Sequence, residues 1–94
     1  MTRQALSEAE VAARLGGGWQ ALDGALHKRF DFDDYHRTMA FVNAVAWIAH
    51  REDHHPDLQL HYGHCIVRWQ THPAGGITER DFHCAALVDA LLRA

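Results

Sequence analysis

The stretch HREDHHPDLQLHYGHCIVRWQTH, from His50 to His72, contains the end of one predicted helix and two complete predicted strands. Pro56 predicts the end of a helix, because the residue before a proline is pushed out of helical backbone geometry. Two β-prone segments follow, Leu58 to Tyr62 and Cys65 to Thr71, and Gly63-His64 predicts the turn between them. The stretch therefore predicts a helix followed by an antiparallel hairpin.

Upstream lies the longest predicted helix, from about Asp34 to Asp53. Asp33 is a good N-cap for it, because an aspartate carboxylate can accept hydrogen bonds from the first free N–H groups of a helix. Apolar side chains recur at helical spacing along one stripe, formed by Phe41, Val42, Val45, Ile48 and Ala49. The stripe predicts that one face of this helix packs against a core.

A second hairpin is predicted before that helix. Asp23-Gly24 suits a two-residue turn, and it separates the segments WQAL and ALHKRFDF. The second segment alternates in polarity and should end at Phe32, although Lys28 interrupts its apolar side. Two hairpins on either side of a helix indicate a single sheet built from both.

Capping signals mark the first and last helices. Ser7 to Glu10 and Thr78 to Asp81 have the spacing of a capping box, in which two residues satisfy each other's backbone N–H groups. The first helix should stop at Gly16-Gly17-Gly18, since glycine is costly within a helix. The order α-β-β-α-β-β-α over residues 1–94 predicts one α+β domain, a four-stranded antiparallel sheet with three helices packed on one face.

The composition is that of a folded protein without a broad basic surface. Of the 94 residues, 48% are hydrophobic and 22% charged, and the formal net charge is -3 at pH 7. We therefore expect no direct binding to nucleic acid, whose phosphates attract clustered Lys and Arg. The longest nearly uncharged run, Thr38 to Ala49, is shorter than the roughly 20 residues that span a bilayer, so we expect no membrane span.

Two further expectations come from the cysteines and the chain length. Cys65 and Cys84 lie in a predicted strand and on a predicted helix face, which favours free thiols and a cytoplasmic location. A small core is often supplemented by self-association, so a homodimer or homotetramer is expected.

Three histidines are candidates for a shared site. His54 and His55 could reach one ligand only where the backbone turns, and Pro56 predicts such a turn. The alternative for this pair is hydrogen bonding to the free carbonyls of a helix end. His72 stands where the last strand leaves the sheet for a loop. If the hairpins lie side by side, all three histidines could face one cleft.

A metal site is a competing interpretation. His50 and His54 have the i, i+4 spacing that places two imidazoles on one helix face, provided that the helix persists through His54. No third ligand stands at a recognisable spacing from them. We therefore treat metal binding as the less favoured alternative.

The pattern of these residues resembles a known family. The segments that carry the resemblance to the pterin-4a-carbinolamine dehydratases are Asp53-His54-His55-Pro56, Tyr62, Thr71-His72 and Gly75-Gly76-Ile77-Thr78-Glu79-Arg80-Asp81. The resemblance implies dehydration of a 4a-hydroxytetrahydropterin to quinonoid dihydropterin and water, in tetrahydrobiopterin recycling. It implies an aromatic amino-acid hydroxylase as the source of substrate, and neither a metal nor a redox cofactor.

The resemblance also implies roles for the histidines. His54 and His72 would be the acid/base pair, without a separate assignment of acid and base, and His55 would belong to the catalytic group by binding and orienting the pterin. Imidazole suits these roles, since it can give and take protons near neutral pH.

Three further residues are implied to bind the substrate, namely Asp53, Trp19 and Asp81. For Asp81, a partner role in the Thr78 capping box is an equally good explanation. For Trp19, burial against the sheet is the commoner fate of a tryptophan.

Several positions depart from the family pattern, and they are His50, Leu58, Leu60, Gly63 and Pro73. The departures keep the three histidines but leave open which pterin is bound. A non-catalytic pterin-binding or dimerisation module of the same fold is the main alternative to an enzyme.

Overall fold

The computed structural model describes residues 4–93, which form a four-stranded antiparallel sheet and three α-helices. The elements in chain order are α1 (Glu8–Arg14), β1 (Gln20–Leu22), β2 (Ala25–Asp31), α2 (Tyr35–Glu52), β3 (Asp57–Leu60), β4 (His64–Trp69), a 3₁₀ turn (His72–Ala74) and α3 (Glu79–Ala90). The strand order across the sheet is β1-β2-β4-β3, so the two hairpins join through β2 and β4. The predicted α+β fold is confirmed.

The central strands carry the core face of the sheet. Leu26 on β2 lies opposite Trp69 on β4, and Phe30 lies opposite Cys65. All four side chains are buried. Because side chains alternate along a strand, these residues share the face on which α2 and α3 pack.

Lys28, which interrupts the apolar side of β2, is accommodated by an ion pair with α3. Its Nζ lies 2.8 Å from Asp89 Oδ1 and 4.7 Å from the centre of the Phe30 ring. The aliphatic part of a lysine can cover apolar surface while its charge meets a partner. The interruption is therefore compatible with the sheet.

Both ends of α2 differ from the prediction. The N-cap is Asp34 rather than Asp33, since Asp34 Oδ1 accepts the Arg37 N–H at 2.8 Å. The helix ends at Glu52, before the chain reaches Pro56, because Asp53 adopts a left-handed conformation with φ 52° and ψ 45°. Left-handed backbone cannot continue a right-handed helix, and aspartate tolerates it better than most residues.

The strand ends differ by a few residues. β2 ends at Asp31 rather than Phe32, although the Phe32 N–H still donates to the Gly63 carbonyl at 2.8 Å. Tyr62 and Thr71 lie outside β3 and β4. Both predicted capping boxes, those of α1 and α3, are confirmed. Within residues 4–93, no helix is long and apolar enough to cross a membrane.

Candidate active site

The C-terminal end of α2 and the end of β4 meet in a cleft of about 360 Å³. Its lining residues come from these two ends and from the start of α3, and they are Asp53, His54, His55, Gln70, Thr71, His72, Pro73 and Arg80. The cleft thus brings together the three histidines that the sequence singles out, from two parts of the chain joined by the second hairpin.

The reversal after α2 is held by an arginine from α3. Arg80 Nη2 donates to the Glu52 carbonyl at 3.1 Å and to the Asp53 carbonyl at 2.8 Å. These carbonyls belong to the helix end, where no further turn of helix supplies an N–H. The His54 N–H returns to the Ala49 carbonyl at 3.1 Å. Arg80 therefore fixes the segment from which His54 and His55 project.

His54 is the most restrained of the three histidines. Its Nε2 lies 2.6 Å from Asp81 Oδ1, and its ring stacks on Trp69 with 5.4 Å between centres. The residue is 9% exposed. Within residues 4–93, Nδ1 has no hydrogen-bond partner. A carboxylate on Nε2 fixes the tautomer that carries its proton there, which leaves the Nδ1 lone pair for a ligand.

Asp81 is completely buried, so the structure places it behind His54 rather than in the cleft. Its Oδ2 accepts the Thr78 N–H at 2.8 Å, as the capping box predicts. The same carboxylate also accepts from Thr71 Oγ1, at 2.9 Å. That Asp81 contacts the substrate stays a prediction; the structure shows that its carboxylate bonds to His54, which lines the cleft.

His72 and His55 are exposed, and only His72 has a side-chain partner in the described part of the chain. Gln70 Nε2 lies 3.1 Å from His72 Nδ1. An amide nitrogen can only donate, so Nδ1 accepts and Nε2 is the nitrogen left for a ligand. His55 also lines the cleft, and within residues 4–93 neither of its ring nitrogens has a hydrogen-bond partner.

The loop that carries His72 is closed by backbone hydrogen bonds. Thr71 and Gly76 form an isolated antiparallel bridge, and the Gly75 N–H donates to the Thr71 and His72 carbonyls. Gly75 has φ 75°, a left-handed conformation that favours glycine. The loop therefore presents His72 from a constrained backbone.

Comparison with known proteins leads to one family. The sequence profile described as Pterin 4 alpha carbinolamine dehydratase matches residues 4–91. Two relatives, from Nitrosomonas europaea and Stenotrophomonas maltophilia, are provisionally named pterin-4-alpha-carbinolamine dehydratases. They are 49% and 56% identical over 89 and 90 residues, which cover 94% and 92% of this chain and 79% and 78% of theirs. The chain belongs to the pterin-4a-carbinolamine dehydratase family.

Solved structures share the fold of this dehydratase family. A protein described as a transcriptional coactivator/pterin dehydratase from Brucella melitensis has a TM-score of 0.88 and 32% identity, and the match covers 96% of this chain and 100% of that one. A pterin dehydratase-like protein described as a RuBisCO assembly factor in the α-carboxysome has a TM-score of 0.65 and 28% identity, with coverage of 78% and 84%. The fold therefore occurs in proteins described by different functions.

Trp19, which the resemblance to the dehydratases implies as a substrate-binding residue, does not line the histidine cleft. Its ring meets Phe30 edge to face at 5.9 Å, and its Nε1 donates to Asp89 Oδ2 at 2.9 Å. The side chain is buried. The position of Trp19 corresponds to the packing role, and its contact with a pterin stays a prediction.

The metal alternative loses its structural basis. His54 lies beyond the end of α2, so His50 and His54 do not share a helix face. His50 instead lies against the exposed Trp47 ring. Within residues 4–93 there is no group of three or more His, Cys, Asp or Glu side chains that could hold a metal ion.

The Cys84 thiol is an ionisable group close to the Asp81 carboxylate. Burial, with the charges of Glu52 and Asp81 and against that of Arg80, raises the pKa of its thiol to about 12. A thiol with so high a pKa remains protonated near neutral pH and is a poor nucleophile. Cys65 and Cys84 are both free and buried, so neither is a candidate for covalent catalysis.

Four site residues were not identified as such from the sequence, namely Gln70, Thr71, Arg80 and the stacking partner Trp69. Thr71 and Arg80 stood within the motifs that carry the family resemblance, but without a role. The capping-box spacing of Thr78 and Asp81 is a local signal for the buried side of this site, but it assigns no role to these four residues.

Proposed function

We propose that this protein dehydrates a 4a-hydroxytetrahydropterin to quinonoid dihydropterin and water by histidine acid/base catalysis. The observation that carries the proposal is the His54–Asp81 pair, with Nε2 and Oδ1 2.6 Å apart, beside a cleft that His55 and His72 also line. Family membership supports the same substrate class. The geometry supplies restrained imidazoles where the reaction needs proton carriers.

The reaction needs two proton transfers. The bond between carbon 4a and the hydroxyl oxygen breaks, and the oxygen takes a proton so that it leaves as water. A ring nitrogen supplies the electron pair for the new C=N bond and loses its proton. The substrate therefore gains one proton at oxygen and loses one at nitrogen, so an acid and a base suffice.

His54 has the environment of the base. In the neutral form its Nε2–H donates to Asp81, and the Nδ1 lone pair accepts the proton from the ring nitrogen. The imidazolium that results lies against a buried carboxylate, which stabilises the new positive charge. Asp81 also prevents the tautomer that would place a proton on Nδ1.

His72 has the environment of the acid. No carboxylate pairs with it in the described residues, and Gln70 is its neighbour at Nδ1. A half-turn of the Gln70 amide presents oxygen instead of nitrogen, so this neighbour can accommodate either the neutral ring or the imidazolium. In the imidazolium form, His72 donates from Nε2 to the departing hydroxyl. The proton gained by His54 then returns through solvent to His72.

His55 and Asp53 complete the proposal as binding residues. Both are exposed at the rim of the cleft. The amino-pyrimidine edge of a pterin carries N–H donors, which a carboxylate such as that of Asp53 can accept. Both ring nitrogens of His55 are available to orient the same ring system.

The expected size of the effect is moderate. Positioned acid/base groups contribute about 10² to 10⁴-fold to a rate. The test is the decay of a 4a-hydroxytetrahydropterin, generated in a hydroxylase reaction, with and without the purified protein. Decay faster than the spontaneous rate supports the proposal, and an unchanged rate overturns it.

The alternative, a non-catalytic pterin-binding or accessory module, predicts a different result in the same experiment. Such a module would bind a dihydropterin without accelerating the decay. The tetrahydrobiopterin pathway, a hydroxylase partner, a cytoplasmic location and a homodimer or homotetramer remain predictions. Light scattering on the purified chain measures the oligomeric state directly.

A further inference from the structure

Behind the cleft, the Asp81 carboxylate stands at the end of a chain of buried hydroxyl groups. Thr71 Oγ1 lies 2.9 Å from Asp81 Oδ2 and 2.9 Å from Thr78 Oγ1. Thr71 is buried, and Thr78 and Asp81 are completely buried. Buried polar groups are costly unless each donor meets an acceptor, so the arrangement of protons in this chain is constrained.

Counting donors gives the direction of the chain. An ionised carboxylate can only accept, so the Thr71 hydroxyl donates to Asp81 Oδ2. A hydroxyl has one proton, so the Thr78 hydroxyl donates to Thr71 Oγ1. Thr78 Oγ1 in turn accepts the Arg80 N–H at 3.2 Å. The Thr78 hydroxyl therefore donates to Thr71, and the Thr71 hydroxyl donates to Asp81.

We propose that Thr71 is a positioning residue for proton transfer at His54, an inference that rests on the dehydratase function proposed above. Its hydroxyl and the Thr78 N–H, at 2.9 and 2.8 Å, both donate to Asp81 Oδ2. Two donors on one oxygen fix the plane of the carboxylate and direct Oδ1 at His54 Nε2. The proton then stays on Nε2, and Nδ1 exchanges protons with the substrate.

Of the two threonines in this hydrogen-bond network, Thr71 is the one whose hydroxyl can be removed with less effect on folding. The Thr78 hydroxyl caps α3, so its loss weakens a helix as well. Within residues 4–93, the Thr71 hydroxyl bonds to Thr78 and Asp81 alone. Valine has nearly the shape of threonine, and Thr71→Val keeps the backbone bridge to Gly76.

The test compares three variants in the dehydration assay. Thr71→Val should lower kcat about 10- to 100-fold, the equivalent of one hydrogen bond to a charged group, with KM little changed. Thr71→Ser keeps the hydroxyl and should restore kcat.

Thr38→Val is the matched control. Thr38 is another completely buried threonine, and its hydroxyl bonds to the Asp34 and Tyr62 carbonyls, away from the cleft. Loss of the Thr38 hydroxyl should lower the melting temperature without changing kcat. A folded Thr71→Val variant with the wild-type kcat would overturn the inference, as would a Thr71→Ser variant with a kcat no higher than that of the valine variant.

A second measurement separates this inference from the proposed function. The ¹⁵N shifts of the His54 ring report which nitrogen carries the proton, with or without turnover. Wild type should show a protonated Nε2, and Thr71→Val should show an increased share of the other tautomer. An inactive wild type would overturn the proposed function, whereas identical His54 ring shifts in wild type and Thr71→Val would overturn the role of Thr71.

Discussion

His54 Nε2 lies 2.6 Å from Asp81 Oδ1, across 27 residues of chain, and both groups are almost completely removed from solvent. One residue follows the end of α2 and the other lies in the first turn of α3. The two helices pack on one another, so the pair is held by the same contacts that build the core. Several measurable consequences come from this arrangement.

Replacing the carboxylate of Asp81 should remove the restraint on His54. In Asp81→Asn an amide faces Nε2 and can donate to it, which favours the tautomer with its proton on Nδ1. We expect kcat to fall about 10² to 10⁴-fold. Steady-state kinetics measures this loss.

Glu10→Gln is the control for Asp81→Asn. Glu10 is the corresponding acidic residue of the α1 capping box, with Oε1 2.8 Å from the Ser7 N–H, and it does not line the histidine cleft. Glu10→Gln should lower the melting temperature and leave kcat unchanged. An equal kcat for wild type and Asp81→Asn would show that the His54–Asp81 pair does not contribute to catalysis.

Removing the guanidinium of Arg80 should loosen the segment that carries His54 and His55. Arg80→Met leaves the Glu52 and Asp53 carbonyls without their donor. Misplacement of reacting groups by about 1 Å can cost about 100-fold, so we expect kcat/KM to fall roughly 10- to 100-fold. Kinetics and a melting curve on the same preparation measure both effects.

Arg37→Met is the matched arginine control, because Arg37 pairs with Asp34 on an exposed surface at the other end of α2. It should leave kcat/KM at the wild-type value. If Arg80→Met does the same while remaining folded, Arg80 does not position the site.

The two thiols should be unreactive in the folded protein. Burial raises the pKa of Cys65, and burial with nearby carboxylates raises the pKa of Cys84 to about 12. The reactive thiolate is therefore scarce at pH 8. Iodoacetamide should label neither thiol in native protein at pH 8 and both in denaturant. Rapid labelling of Cys65 or Cys84 in the native protein, located by mass spectrometry, would contradict the burial of that thiol.

The cap of α2 can be tested against its neighbour. Asp34→Ala should lower the melting temperature at pH 7, whereas Asp33→Ala should not, since Asp34 is the N-cap. The Arg37 N–H holds the pKa of Asp34 below its ordinary value of 3.8. The stabilisation is therefore present above that value and disappears as pH falls through the lower folded pKa. If Asp34→Ala still melts at a lower temperature than wild type below the folded pKa of Asp34, the ionised carboxylate is not the source of the stabilisation.

Most of the fold could be predicted because its signals are local. The capping boxes, the Asp23-Gly24 turn and the apolar stripe of α2 each act within a few residues. The errors in α2 are also local in origin. Asp33 and Asp34 are adjacent and chemically equivalent as caps, and nothing in the sequence distinguishes a left-handed Asp53 from a helix that continues towards Pro56.

The candidate site could be predicted only in part. The three histidines stand where elements end, which is visible in the sequence. Their partners are distant along the chain, as with Asp81, which meets His54 across 27 residues, and Arg80, which meets Asp53 at the same separation. Such contacts depend on how helices pack, so spacing alone did not assign Arg80 or Thr71 a role.

The most direct test of the central claim is the initial rate of 4a-hydroxytetrahydropterin dehydration with wild type, His54→Ala and His72→Ala at equal concentration. Wild type should exceed the spontaneous rate, and each variant should retain its fold while losing about 10² to 10⁴-fold of that acceleration. A wild type that leaves the spontaneous rate unchanged, or two variants with full activity, would contradict histidine acid/base catalysis in this cleft.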